Sequence, residues 1–147
     1  MKILAIDPAT KLGWAVNNTI YGLENYTVKA GESTGMKWIR LKSFLYELIK
    51  KEGTELVVYE RAGGRFKNDI ASHSKFIAII ELCCTELNVE YRAYSATEIK
   101  KYATGKGNAS KGDMIAAAVK NYAYSGTDDN IADALHIWNM ANESYSN

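Results

Sequence analysis

The sequence predicts an α/β domain built on a mixed sheet. Three observations carry that expectation. The apolar run at residues 3–6 and the run at 55–60 both read as strands buried on two faces, and each terminates on a carboxylate, Asp7 and Glu60. An amphipathic helical pattern lies between them, and a helical crossover is what two parallel neighbours require. The segments directly after Asp7 alternate in the manner of antiparallel strands joined by short turns. With 147 residues, 47% of them hydrophobic, and a single proline, the chain reads as one domain (1–147) without internal repeats or linkers.

Taken in order, the first strand stops at Pro8, which cannot donate to a sheet ladder. Asp7 is therefore held at a strand end by a rigid core, and a carboxylate there is costly unless paired or bound to a cation. Residues 12–17 and 20–30 read as the second and third strands of a meander, with Asn17-Asn18 and Gly31 at the turns. Gly13 either allows close approach beside the carboxylate or serves a plain turn. Ser33 or Thr34 would cap a helix to about residue 51, with Trp38, Leu41, Leu45, Leu48 and Ile49 on one stripe and Gly53 ending it.

If the strand at 55–60 pairs parallel to the first, Glu60 lies beside Asp7, at the carboxyl ends where open α/β sheets carry their sites. Residues 61–68 form a basic glycine-bearing loop containing Arg61, Arg65, Phe66 and Lys67. Residues 70–87 read as a helix with a stripe of Ile70, His73, Ile77, Ile80, Cys84 and Leu87, broadened by Phe76, Ile79 and Cys83. That breadth fits deep burial or packing against a partner subunit; His73 itself reads as an ordinary helix residue. The adjacent Cys83 and Cys84 match no disulfide framework or zinc spacing and read as buried thiols of a reducing compartment.

A strand at 89–94 leads through Ser95 into a brief helix at 96–102, and a glycine loop then leads to Ser110, the cap of a helix at 111–122 with Met114, Ile115, Ala118 and Val119 inward. The loop's Gly-x-Gly follows no strand and lacks the spacing of a nucleotide P-loop. Lys100, Lys101, Lys106 and Lys111 come without an intervening acid, although the net charge of the chain is only +1. Such clustering points to an anionic polymer backbone. The last helix carries Asp133 between Ala132 and Ala134, small neighbours that would leave the carboxylate open. Asp129 lies four residues earlier and Asn130 three, so each shares a face with Asp133. Asp128 suits the helix N-terminus, and His136 reads either as a neighbour of the acidic edge or as a partly buried polar residue. The apolar runs are short and interrupted by charge, which excludes a signal peptide or membrane span as a reading.

Asp7, Glu60 and Asp133 brought together would repel, raising a pKa unless divalent cations neutralise them. Oxygen ligands without sulfur or a histidine cluster suit Mg²⁺ or Mn²⁺. Two such ions about 4 Å apart can activate water and stabilise a leaving oxygen, so the chemistry reads as metal-assisted phosphodiester hydrolysis.

Four blocks in order, Ile3-Leu-Ala-Ile-Asp7-Pro-Ala-Thr-Lys-Leu-Gly13-Trp-Ala, Val57-Val-Tyr-Glu60, Ile99-Lys100 with the lysine loop to Lys111, and Ile131-Ala-Asp133-Ala-Leu, resemble the RuvC-type Holliday junction resolvases, and most of all a bacteriophage version. The resemblance implies a ribonuclease H-like fold, a five-stranded mixed sheet flanked by helices. It implies a cytoplasmic homodimer (in the host, if phage-encoded), with 70–87 as a candidate dimer helix. It also implies Mg²⁺-dependent paired nicking of four-way DNA junctions, with Mn²⁺ substituting.

On that likeness Asp7, Glu60 and Asp133 match the acidic ligands, and Lys100 and Lys111 the lysines near the scissile phosphate. Where the family has an acid or His three residues before the last Asp, this chain has Asn130; either its amide oxygen ligates or Asp129 supplies the fourth acid. Phe66 stands later than the aromatic that bacterial members insert at the junction centre. Alternatives are a nuclease of the same fold acting on other branched DNA or RNA, and a catalytically weak junction-binding protein.

Overall fold

A computed structural model describes residues 1–63 and 67–145. The expectations for Arg65 and Phe66, and for the side chain of Lys67, lie outside the described residues. The order is β1 (Ile3–Asp7), β2 (Lys11–Ala15), β3 (Tyr21–Asn25), α1 (Met36–Glu52), β4 (Leu56–Glu60), α2 (Lys67–Glu86), β5 (Glu90–Tyr94), α3 (Ala96–Thr104), α4 (Lys111–Tyr122) and α5 (Asp129–Tyr145). The sheet runs β3-β2-β1-β4-β5, with β1–β2–β3 antiparallel and β1–β4–β5 parallel. This is the five-stranded mixed sheet that the sequence leads one to expect.

Side-chain alternation assigns the two faces. Leu4, Ile6, Val57 and Tyr59 pack with Leu41, Leu45, Phe76, Ile80, Cys83 and Cys84, so α1 and α2 cover one side. Ile3, Ala5, Leu56 and Val58 pack with Ile99, Met114, Ile137 and Ala141, so α3, α4 and α5 cover the other. By the same period of two, Asp7 and Glu60 project toward α5.

Gly13 decides how close α5 comes. It pairs with Asp7 across β1 and β2. A Cβ built on it would sit 2.2 Å from the backbone oxygen of Asn130. The helix start therefore lies backbone to backbone on β2. The returning strand β2 thus passes directly beside Asp7 at Gly13, and α5 makes a second close approach there. Gly13→Ala is expected to force the two apart and cost about 1–3 kcal/mol of stability through overpacking, read as a lower denaturation midpoint.

Several boundaries differ from expectation. β2 stops at Ala15 because Asn17 Oδ1 accepts from the N–H groups of Thr19 and Ile20 and turns the chain. β3 stops at Asn25, whose side chain accepts from the N–H of Thr27. The N-cap of α1 is Gly35, without a side-chain bond, so neither Ser33 nor Thr34 caps it; Ser33 offers only its carbonyl, to the N–H of Met36. Gly53 does end α1, at φ 62°. The α2 stripe is centred on Phe76, Ile80, Cys83 and Cys84, leaving Ile70 exposed. On α4, Met114 and Ala118 are buried while Val119 is 47% exposed, because α4 packs on α5 along a narrower face than the apolar residues suggest. Ser110 caps α4 in a reciprocal box with Asp113. No described helix is long and apolar enough to cross a membrane.

Candidate active site

The two central parallel strands end side by side, with Ile6 opposite Tyr59, so Asp7 and Glu60 emerge as neighbours beneath α5. The first turn of α5 is capped by Asp128, whose Oδ1 accepts from the N–H of Ile131 at 2.9 Å. That cap aims Asp129 and Asp133 from the helix toward the strand ends. Ala132 and Ala134 are fully buried, their small size lets the helix seat on Ala15, and Asp133 between them does reach the pocket. Asp133 is thereby held partly buried at the pocket wall.

Glu60, Lys100, Lys111, Asp129 and Asp133 line one pocket of about 200 Å³, with Ala96, Ile99, Ala109 and Met114 as its apolar walls. Asp7 is buried against the same group. Its burial pushes its carboxyl well above the ordinary range, and the charges of Asp133, Glu60, Asp129 and Asp128 push it further. Burial, then Glu60 and Asp129, raise Asp133 to about 7 against the pull of Lys100 and Lys111. Burial also raises Glu60, with His73 and Lys100 drawing it back.

Asp133 Oδ1 is buried without a hydrogen-bond partner. Among the described residues no three or more His, Cys, Asp or Glu side chains stand close enough together, as placed, to hold a metal ion. The pocket nonetheless gathers hard oxygen donors whose negative charges raise Asp7 and Asp133, and it leaves one buried oxygen unsatisfied. That chemistry fits a divalent cation.

The cations are placed for an anion at the pocket mouth. Lys111 is the first residue of α4, where the helix dipole disfavours positive charge but welcomes a phosphate; its Nζ lies 3.7 Å from Asp129 Oδ2. Lys100 lines both this pocket and an adjoining cleft of about 550 Å³, where Arg61, Ser95, Thr97 and Asn108 also stand. Arg61 donates its backbone N–H to Tyr94 and reaches Glu98 at 3.7 Å. Lys106 faces a separate groove beside Asp113 and Lys120. Lys101 is exposed on α3. Asn130 does not line the acidic pocket; its backbone is the part that meets Gly13.

His136 does not join the acidic edge. It is fully buried, its Nε2–H donates to the Met114 carbonyl at 2.8 Å, and Nδ1 accepts from the Tyr122 hydroxyl at 3.0 Å. Burial holds its pKa below the usual value, as for a neutral histidine joining α5 to α4. His73, by contrast, places Nε2 2.9 Å from the backbone carbonyl of Glu60. Only spatial proximity reveals that contact, since 13 residues of chain separate the two.

A mixed sheet in this order, with acids at the ends of its two central parallel strands, is a ribonuclease H-like fold. Among solved structures its likeness is to the RuvC resolvases. Thermus thermophilus RuvC in complex with a Holliday junction substrate matches with a TM-score of 0.74 and 22% identity, over 93% of this chain and 90% of that one. A second T. thermophilus RuvC structure matches at 0.70 and 19%, over 93% and 90%. The yeast mitochondrial Holliday junction resolvase Ydc2 matches at 0.51 and 16%, over 98% and 82%. No family model and no curated protein sequence matches the chain.

Proposed function

We propose that this protein is a divalent-metal-dependent endonuclease that resolves four-way DNA junctions by paired nicks. The observation that carries the reading is the convergence of Glu60, Asp129 and Asp133 with Lys100 and Lys111 at one pocket, with Asp7 buried within reach of their charges. That the similar RuvC structure holds a junction substrate supports the choice of DNA.

Asp7, Glu60, Asp129 and Asp133 are the residues that would hold Mg²⁺ or Mn²⁺. Asp129 serves as the fourth acid because it lines the pocket and Asn130 does not. Bound there, the ions would supply an activated water and charge stabilisation for in-line displacement at phosphorus. Lys111 and Lys100 hold the scissile phosphate against the carboxylates. Arg61 and Lys100 carry the strand along the adjoining cleft, while the exposed Lys101 and, from its separate groove, Lys106 add positive charge for more distant phosphates. A homodimer through α2 would present two such pockets to opposed strands, and Ile70 and Leu82, left in solvent on that helix, support it. The protein would work in the cytoplasm, that of a bacterial host if phage-encoded.

The test is cleavage of a synthetic four-way junction beside flap, linear duplex and RNA substrates, with and without Mg²⁺. Paired nicks confined to the junction and to the metal-containing reactions are expected. Equal cutting of linear duplex, or none with either Mg²⁺ or Mn²⁺, would refute the reading. Lys111→Ala is expected to lower turnover about a hundredfold, as for loss of one group stabilising transition-state charge. It should also reduce the salt slope of junction binding by about one.

A further inference from the structure

The end of β4 contains a main-chain group that the sheet cannot satisfy. The Leu56 N–H donates to the Lys2 carbonyl, so even-numbered residues of β4 direct their N–H and C=O toward β1. The Arg61 N–H donates to Tyr94 at 2.8 Å, which keeps odd-numbered residues directed at β5. With Ala5 opposite Val58, the same alternation turns the Glu60 carbonyl toward position 8 of the neighbouring strand. That position is Pro8, which has no N–H.

The missing donor comes from another element. His73, half-buried on α2, places Nε2 2.9 Å from the Glu60 oxygen. A carbonyl only accepts, so this nitrogen carries the hydrogen. We propose that His73 is a positioning residue for Glu60: it replaces the ladder bond that Pro8 cannot make and so fixes the direction of the Glu60 side chain at the metal pocket. This rests on the reading of Glu60 as a metal ligand. A strand end without that bond would be free to swing, and its carboxylate with it. Outer partners of metal ligands commonly govern affinity by holding those ligands in direction.

The test uses Mn²⁺ alone, measured by electron paramagnetic resonance on the DNA-free protein, with the Mg²⁺ dependence of junction cleavage as a second readout. His73→Leu is expected to weaken Mn²⁺ binding by about tenfold, the low end for loss of an outer partner, and to shift the Mg²⁺ half-saturation in parallel. His73→Gln retains an N–H donor and is expected to restore much of the affinity. The sharper control is Pro8→Ala, which returns an N–H to β1. In that background His73→Leu should have a much smaller effect, a coupling that general loosening of α2 would not produce.

Unchanged Mn²⁺ affinity in His73→Leu would overturn the proposal, as would an equal loss with and without Pro8→Ala. Failure of the functional reading looks different. Wild-type protein that binds no Mn²⁺ refutes the metal site before any variant is made. Wild-type protein that binds Mn²⁺ in a His73-dependent way yet leaves junctions uncut refutes the nuclease and keeps the positioning role.

Discussion

Replacing Asp7 with Asn is expected to slow junction cleavage by at least about a thousandfold, because several kcal/mol of metal-borne charge stabilisation depend on it and each ~1.4 kcal/mol is tenfold in rate. Junction binding without metal should survive. Asn has nearly the shape of Asp and fills the same enclosed site, while the lysines at the mouth are untouched. A buried carboxyl that resists ionisation also loses little when exchanged for a neutral amide. Parallel measurements of binding in EDTA and cleavage in Mg²⁺ separate the two roles. Wild-type cleavage rates in Asp7→Asn would remove Asp7 from the chemistry.

The second large effect concerns stability and pH. The Asp133 carboxyl is raised from an ordinary 3.8 to about 7 in the fold. Folding therefore favours its protonated form. The stability this represents is fully present below the unfolded value and is lost as pH rises through the folded one. Asp133→Asn escapes that loss. In EDTA at pH 8 the variant is expected to exceed wild type by about 2–4 kcal/mol, given that one pKa unit is about 1.4 kcal/mol. The gap should close as pH falls toward 4. His136 is common to both proteins, whereas Asp7, which the Asp133 charge raises, ionises more readily in the variant and widens the gap in the same direction. Added Mg²⁺ should narrow the gap at pH 8 by stabilising wild type alone. Denaturation curves at several pH values measure it, and a gap independent of pH would refute the electrostatic account.

The legible parts of this molecule were those governed by local rules. Continuous apolar runs ending on Asp7 and Glu60 read as buried strands because side-chain burial and chain punctuation coincide there. Ser110 was recognisable as a cap because the bond it makes spans three residues. The less legible parts depended on what packs across space. Ala132 and Ala134 could be read only as small flanks of Asp133; that their smallness also lets α5 seat on Ala15 and Gly13 depends on what packs across space. Apolar Val119 and Ile70 were left in solvent by the geometry of their neighbours. His73 looked like any helix residue until the missing N–H of Pro8 was set beside it.

The way α5 is seated has a consequence for synthesis. Asp129 and Asp133 reach the strand ends only when α5 lies on β2, and α5 follows every other described element in chain order. A ribosome that has released the first nine elements has exposed Asp7 and Glu60 without the acids that complete their pocket. The proposed metal pocket is therefore incomplete in the nascent polypeptide until its last described helix docks, and a truncated product lacking that helix is expected to bind no Mn²⁺.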